Sequence, residues 1–79
     1  MTTGSQSDDP RAYVRLASHL RQQITNGALR RGQPTPSITT LTQEHGIARQ
    51  TAAKALHVLE SEGLVYRVPG LGYYVGQPA

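Results

Sequence analysis

The residues best equipped for chemistry fall in one short stretch, GIARQTAAKAL, at positions 46–56. Arg49, Gln50, Thr51 and Lys54 present forked or multi-donor groups on what reads as a helix. An Arg fork matches guanine O6 and N7, a Gln amide matches adenine N6 and N7, and a Thr can meet a phosphate or a thymine methyl. A Lys suits a phosphate as a point charge. Ala48 and Ala53 lie between these side chains and leave the outward face half bare. Such a face lets the helix backbone approach a groove closely, and Ala itself can touch a thymine methyl. Plainer uses exist for the same residues: Arg49 solvated or on a phosphate, Gln50 in water, Thr51 bonded to its own helix.

Catalysis has no comparable constellation. His19, His45 and His57 are isolated in the sequence and lack metal-ligand spacing. Asp8 and Asp9 lie in a polar N-terminal stretch that cannot position a triad. There is no Cys, so neither a disulfide framework nor a thiolate metal site is available. Gly70-Leu71-Gly72 is too short to be a phosphate-binding fingerprint. The expectation is a binding protein rather than an enzyme, with no catalytic residue, metal or cofactor.

The partner class follows from charge. The chain has 79 residues, eight Lys plus Arg against five acids, and a net charge of +3. From Pro10 onward the cations face only Glu44, Glu60 and Glu62. All cations but Lys54 are Arg, the residue suited to forked contacts with phosphate and guanine. This balance favours nucleic acid over a merely soluble basic surface. No apolar run approaches a membrane span, and MTTGSQSDD lacks the features of a secretory signal. The chain is read as soluble and cytoplasmic, associated with the nucleoid.

The elements that must hold these residues are few. At this length one small domain is the limit, burying about 60% of its extended-chain surface. Residues 1–9 read as a disordered tail, 10–76 as the domain and 77–79 as a short C-terminal tail. A first helix is capped by Asp8 or Asp9, with Pro10 in its first turn. Its buried stripe is Tyr13, Leu16, Ala17, Leu20 and Ile24, and Asn26-Gly27 ends it. Arg11, Arg15 and Arg21 lie off that stripe, facing water or a partner. The connection GALRRGQPTP is anchored by Leu29. Ser37 caps a second, two-turn helix with Ile38 and Leu41 inward, which stops at His45-Gly46.

A third helix over 48–62 buries Ala52, Ala55, Leu56 and Leu59 and stops at Gly63. Glu60 and Glu62 near its C-terminus, and Arg49 near its N-terminus, all oppose the helix dipole. The Arg thus suggests a nearby anion. LVYRV and YYV then form a hairpin wing over 64–76, turning at Pro69-Gly70-Leu71-Gly72. Gly at the wing tip permits close approach to a minor groove, and Arg67 can hold a nearby phosphate. Tyr66 and Tyr73 are expected to pack together rather than flank a ligand. Two helices joined by a tight Gly-containing turn make a helix-turn-helix. The fold class is mainly α with a small β-hairpin: a winged helix-turn-helix of three helices plus wing.

The ordered set of residues from Tyr13 to Val75 resembles the DNA-binding domain of the GntR family of bacterial transcription regulators. The resemblance is carried by Ile24, Gly27, Leu29, Gly32, Pro36, Ser37 and Leu41. It continues through Gly46, Ile47, Arg49, Thr51, Ala55, Leu56, Leu59, Glu60, Glu62, Gly63, Leu64 and Val65. It closes on Gly70, Gly72, Tyr74 and Val75. The departures concern the DNA surface: Ile38-Thr39 replaces a Glu-Arg pair, Ala48 replaces a Ser, and Ala53 replaces a second Arg.

The resemblance implies a sequence-specific binder of double-stranded DNA that regulates transcription, with repression the favoured direction. It reads the major groove with the third helix and touches the minor groove or backbone with the wing. Candidate DNA-binding residues are Ser37, Thr39, Arg49, Gln50, Thr51, Lys54, Arg67, Gly70, Leu71 and Gly72. Two copies on half-sites related by two-fold symmetry are expected. Family members attach a C-terminal effector-binding and dimerising domain; only Gly76 to Ala79 follow the last strand here, so no small-molecule effector domain is expected within this chain. The alternative from another class is a winged helix serving as a protein-interaction module.

Overall fold

The computed structural model of the chain describes residues 11–77. Three helices, α1 (Ala12–Thr25), α2 (Ile38–His45) and α3 (Arg49–Ser61), precede two strands, β1 (Val65–Val68) and β2 (Gly72–Val75). This is the winged helix-turn-helix order expected from the sequence.

The helix α1 starts with Arg11 in the N-cap position, and that residue makes no side-chain cap bond. The expected caps Asp8 and Asp9, Pro10 and the tail over 1–9 lie outside the described residues. At the other end Asn26 and Gly27 stop the helix as expected. The Asn26 side chain accepts the Ala28 N–H at 2.9 Å, and Gly27 takes φ +86°. Ser37 caps α2: its Oγ accepts the Thr40 N–H at 3.0 Å. Gly46 ends that helix at φ +63°, a left-handed conformation that costs other L-residues about 1–2 kcal/mol.

One core joins the elements. Helix α3 is packed by α1, α2 and β1. Its inner stripe is the expected one, with Ala52, Ala55, Leu56 and Leu59 essentially inaccessible. Leu16, Ala17 and Leu20 of α1 and Leu41 of α2 meet it. Ala12 and Ile47 are buried too, while Tyr13, Ile24, Leu29 and Ile38 are partly buried against the cluster. Ile47 sits in the joint between α2 and α3, so the turn is itself pinned to the core.

The wing is held more firmly than a free hairpin. β1 and β2 pair antiparallel with Val65 opposite Val75 and Val68 opposite Gly72. The far edge of β2 is hydrogen-bonded as well. Gly32 N–H donates to Val75 O at 2.8 Å, Val75 N–H to Gln33 O at 2.8 Å, and Thr35 N–H to Tyr73 O at 2.9 Å. Pro34 forms a bridge with Tyr74. The connection read from sequence as a plain loop therefore acts as a third edge to the sheet. Pro34 has no N–H to give, which suits an edge position.

The register also corrects the expected tyrosine pair. Tyr66 stands opposite Tyr74, and their rings stack with centroids 6.0 Å apart. Tyr73 faces Arg67 in the ladder and packs against the core instead.

Candidate nucleic-acid interface

A cleft of about 530 Å³ runs between the start of α2, the N-terminus of α3 and the wing tip. Ser37 and Thr39 line it from α2, Arg49 from α3, and Arg67, Gly70, Leu71 and Gly72 from the wing. Pro36 and Tyr73 also line it, and Leu56 reaches it from the core. The fold thus gathers residues from three separate sequence segments.

Arg49 is the first residue of α3 and is exposed. Its Nη1 donates to Thr39 Oγ1 at 3.1 Å. Ala48 occupies the N-cap position in an extended conformation and supplies no side-chain cap. The first N–H groups of a helix lack i−4 acceptors; Thr51 N–H turns back to Ala48 O at 3.1 Å, and those of Arg49 and Gln50 are left for solvent or an anion. A Ser at position 48 could have satisfied one of them. The Ala instead leaves that end of α3 both bare and electropositive.

Gln50 is exposed and Thr51 half-buried, and neither lines the cleft. Lys54 departs further. Its Nζ lies 4.3 Å from the centroid of the Tyr13 ring, a cation–π contact that draws it toward α1. Ser37 already spends its hydroxyl on the α2 cap and on a bond to Thr40 Oγ1 at 2.9 Å. At the wing tip Gly70 and Gly72 have φ +82° and +110°, and a Cβ on either would meet nothing within 4 Å. Leu71 between them is 71% exposed.

Two groupings lay beyond the sequence. Arg21 does not simply face water: its Nε and Nη2 donate to the Glu62 carboxylate at 2.9 and 2.6 Å. The hydrogen bond from Arg21 lowers the Glu62 pKa from its ordinary value, and the same bond raises that of Arg21. A carboxylate at the wrong end of a helix dipole was the available clue that a cation stands beside it. His19 and His45 are likewise not isolated, with ring centroids 5.6 Å apart in an edge-on arrangement. Among the described residues, no group of three or more His, Cys, Asp or Glu could hold a metal ion. None of the described helices is long and apolar enough to cross a membrane.

Comparison with known proteins agrees with this geometry. Over 78 residues the chain is 38% identical to the HTH-type transcriptional repressor NagR of Bacillus subtilis, covering 99% of this chain and 32% of that protein. It is 36% identical over 66 residues to the histidine utilization repressor of Pseudomonas putida, covering 84% of this chain and 27% of that protein. The chain thus spans about a third or less of the length of these relatives. Among solved structures, the DNA-binding domain of AraR in complex with operator ORR3 superposes with a TM-score of 0.80 at 32% identity, covering 82% of this chain and 78% of that one. The family described as bacterial regulatory proteins, gntR family, matches residues 12–75. That span takes in every described helix and both strands, and with it this chain belongs to the GntR family, a family of regulators rather than enzymes.

Proposed function

We propose that this domain binds double-stranded DNA sequence-specifically and regulates transcription as a repressor. The N-terminal end of α3 enters the major groove, where Arg49 reads guanine and Gln50 and Thr51 contact neighbouring groups. The wing, through Arg67 and Gly70-Leu71-Gly72, meets the backbone or the minor groove. The observation that carries this is the exposed Arg49 on the uncapped end of α3, with the wing tip across the same cleft. Solved AraR domains bound to operators and relatives named as repressors support the assignment.

Several finer parts of the proposal follow. Ser37 and Thr39 act from the start of α2, and Lys54 supplies a phosphate contact at the far side of α3. Two copies bind half-sites related by two-fold symmetry, matching operator symmetry to protein symmetry. The domain over 10–76 acts in the cytoplasm, on the nucleoid.

Binding of a random-sequence duplex pool, followed by fluorescence anisotropy over a range of salt, tests the proposal. Each neutralised phosphate contributes a slope of about −0.9 in log K against log salt. Steep weakening with salt, and enrichment of a two-fold symmetric sequence after selection, are the expected results. Absence of duplex binding at low salt would refute it and leave a protein-interaction module.

A further inference from the structure

The Arg49 guanidinium is already oriented before any ligand arrives, and the group that orients it is a neutral hydroxyl. Arg49 Nη1 donates to Thr39 Oγ1 at 3.1 Å, across ten residues of sequence and from one helix to the next. Both residues are exposed. Both line the same cleft.

We propose that Thr39 is a positioning residue for base readout by Arg49, rather than a direct DNA contact in its own right. The inference rests on the reading role proposed for Arg49. A guanidinium carries five N–H donors, and a bond at Nη1 leaves the Nε and Nη2 donors available for a second partner. That pair has the parallel geometry that guanine O6 and N7 require. The choice of partner matters electrostatically. A carboxylate at position 39 would hold the fork too, but it would offset the charge and repel DNA phosphates. A hydroxyl fixes the direction of the fork and leaves the positive charge intact.

Holding the fork in one direction reduces the side-chain entropy lost on binding. That saving applies to the base that Arg49 meets and to no other. The role therefore has a signature distinct from a phosphate contact, which weakens all sequences alike.

Selection from a random-sequence duplex pool by the wild type, Arg49→Ala, Thr39→Val and Thr39→Ser, with a melting midpoint for each, tests this. Wild type is expected to enrich a guanine that Arg49→Ala no longer selects. Thr39→Val keeps the shape of the side chain and removes the acceptor. It is expected to reduce preference for that one guanine by about two- to tenfold, in keeping with a single exposed hydrogen bond. Preferences elsewhere and the melting midpoint should be unchanged, and Thr39→Ser should restore the guanine. If Arg49→Ala loses the guanine while Thr39→Val keeps it, the positioning role falls and the reading role stands. A uniform loss at all positions in Thr39→Val makes Thr39 a backbone contact and likewise overturns the inference. If Arg49→Ala keeps the guanine, the reading role itself fails and the positioning role goes with it.

Discussion

Replacing Arg49 with Lys separates two uses of a cation that the fold alone would allow. The substitution keeps one positive charge at the start of α3 and removes the fork. In the free protein the side chain makes a single hydrogen bond, to the exposed Thr39 hydroxyl at 3.1 Å. Its loss should change folding stability by less than about 0.5 kcal/mol, as for other surface positions. For a domain of this size that is a shift of at most about 2–4 °C in melting midpoint. The DNA consequence is larger. A bidentate guanine contact gives about 1–3 kcal/mol of discrimination. At 1.4 kcal/mol per tenfold, Arg49→Lys should lose about 5- to 150-fold in preference for that base. Non-specific binding and its salt slope should be retained, because the charge is retained.

The assay is competition between the selected duplex and duplexes altered at each base pair in turn, repeated over a range of salt. A reader gives a variant whose preference collapses at one position only. A phosphate clamp gives a different pattern: Arg49→Lys binds the selected duplex as the wild type does. Arg49→Ala then weakens every duplex alike and reduces the salt slope by about 1. That second result would refute the reading role.

Other positions give independent checks. Gly46→Ala, at φ +63°, should cost about 1–2 kcal/mol from backbone strain alone; chemical denaturation measures it, and an unchanged midpoint would contradict the left-handed stop. Ser37→Ala should cost about 1 kcal/mol through loss of the α2 cap. Its DNA affinity, measured well below the melting transition, should fall less than that of Arg49→Ala. Glu62→Gln should matter least in acid. The Arg21 hydrogen bond depresses the Glu62 pKa in the folded protein, so the pair stabilises above the unfolded pKa and is lost as pH falls through the folded one. Melting midpoints of wild type and Glu62→Gln should therefore converge below the ordinary carboxylate range, and a gap that widens there would reverse the assignment.

The helices and core were legible because their information is local. A 3.6-residue period places Ala52, Ala55, Leu56 and Leu59 on one face regardless of what covers it. Ser37 and Gly46 announce their roles by type and place. What escaped is long-range. Nothing near Arg21 in sequence points to Glu62, 41 residues away. The tyrosine pair depends on register. The Val68–Gly72 pairing sets Tyr66 opposite Tyr74, whereas Tyr73 falls on the other face. Gly32 and Pro34 are loop residues by propensity, and only the exposed edge of β2 gives their segment a partner. Residue types singled out Arg49 and the wing tip, which the fold brings to one cleft, but the contact of Lys54 with Tyr13 required knowing how α1 crosses α3.

That extra edge bears on how the site works. Thr35 is bonded to Tyr73 O by its N–H at 2.9 Å and by its hydroxyl at 3.3 Å, and it is the buried polar residue among those described. Only Pro36 separates it from Ser37, the cap of α2. The wing and the start of α2 are thus joined mainly through backbone groups and one buried hydroxyl. Ile47 fixes α3 to the same core through the turn. The two walls of the cleft keep their relation whatever side chains project from them. Among the departures from the family pattern, Thr39 is exposed and Ala48 and Ala53 half-buried, and the frame does not depend on them, whereas Ile38 packs against the core. On the proposed reading, replacing exposed side chains on this backbone-held frame would change which bases are met and leave the approach of the helix to the groove as it is.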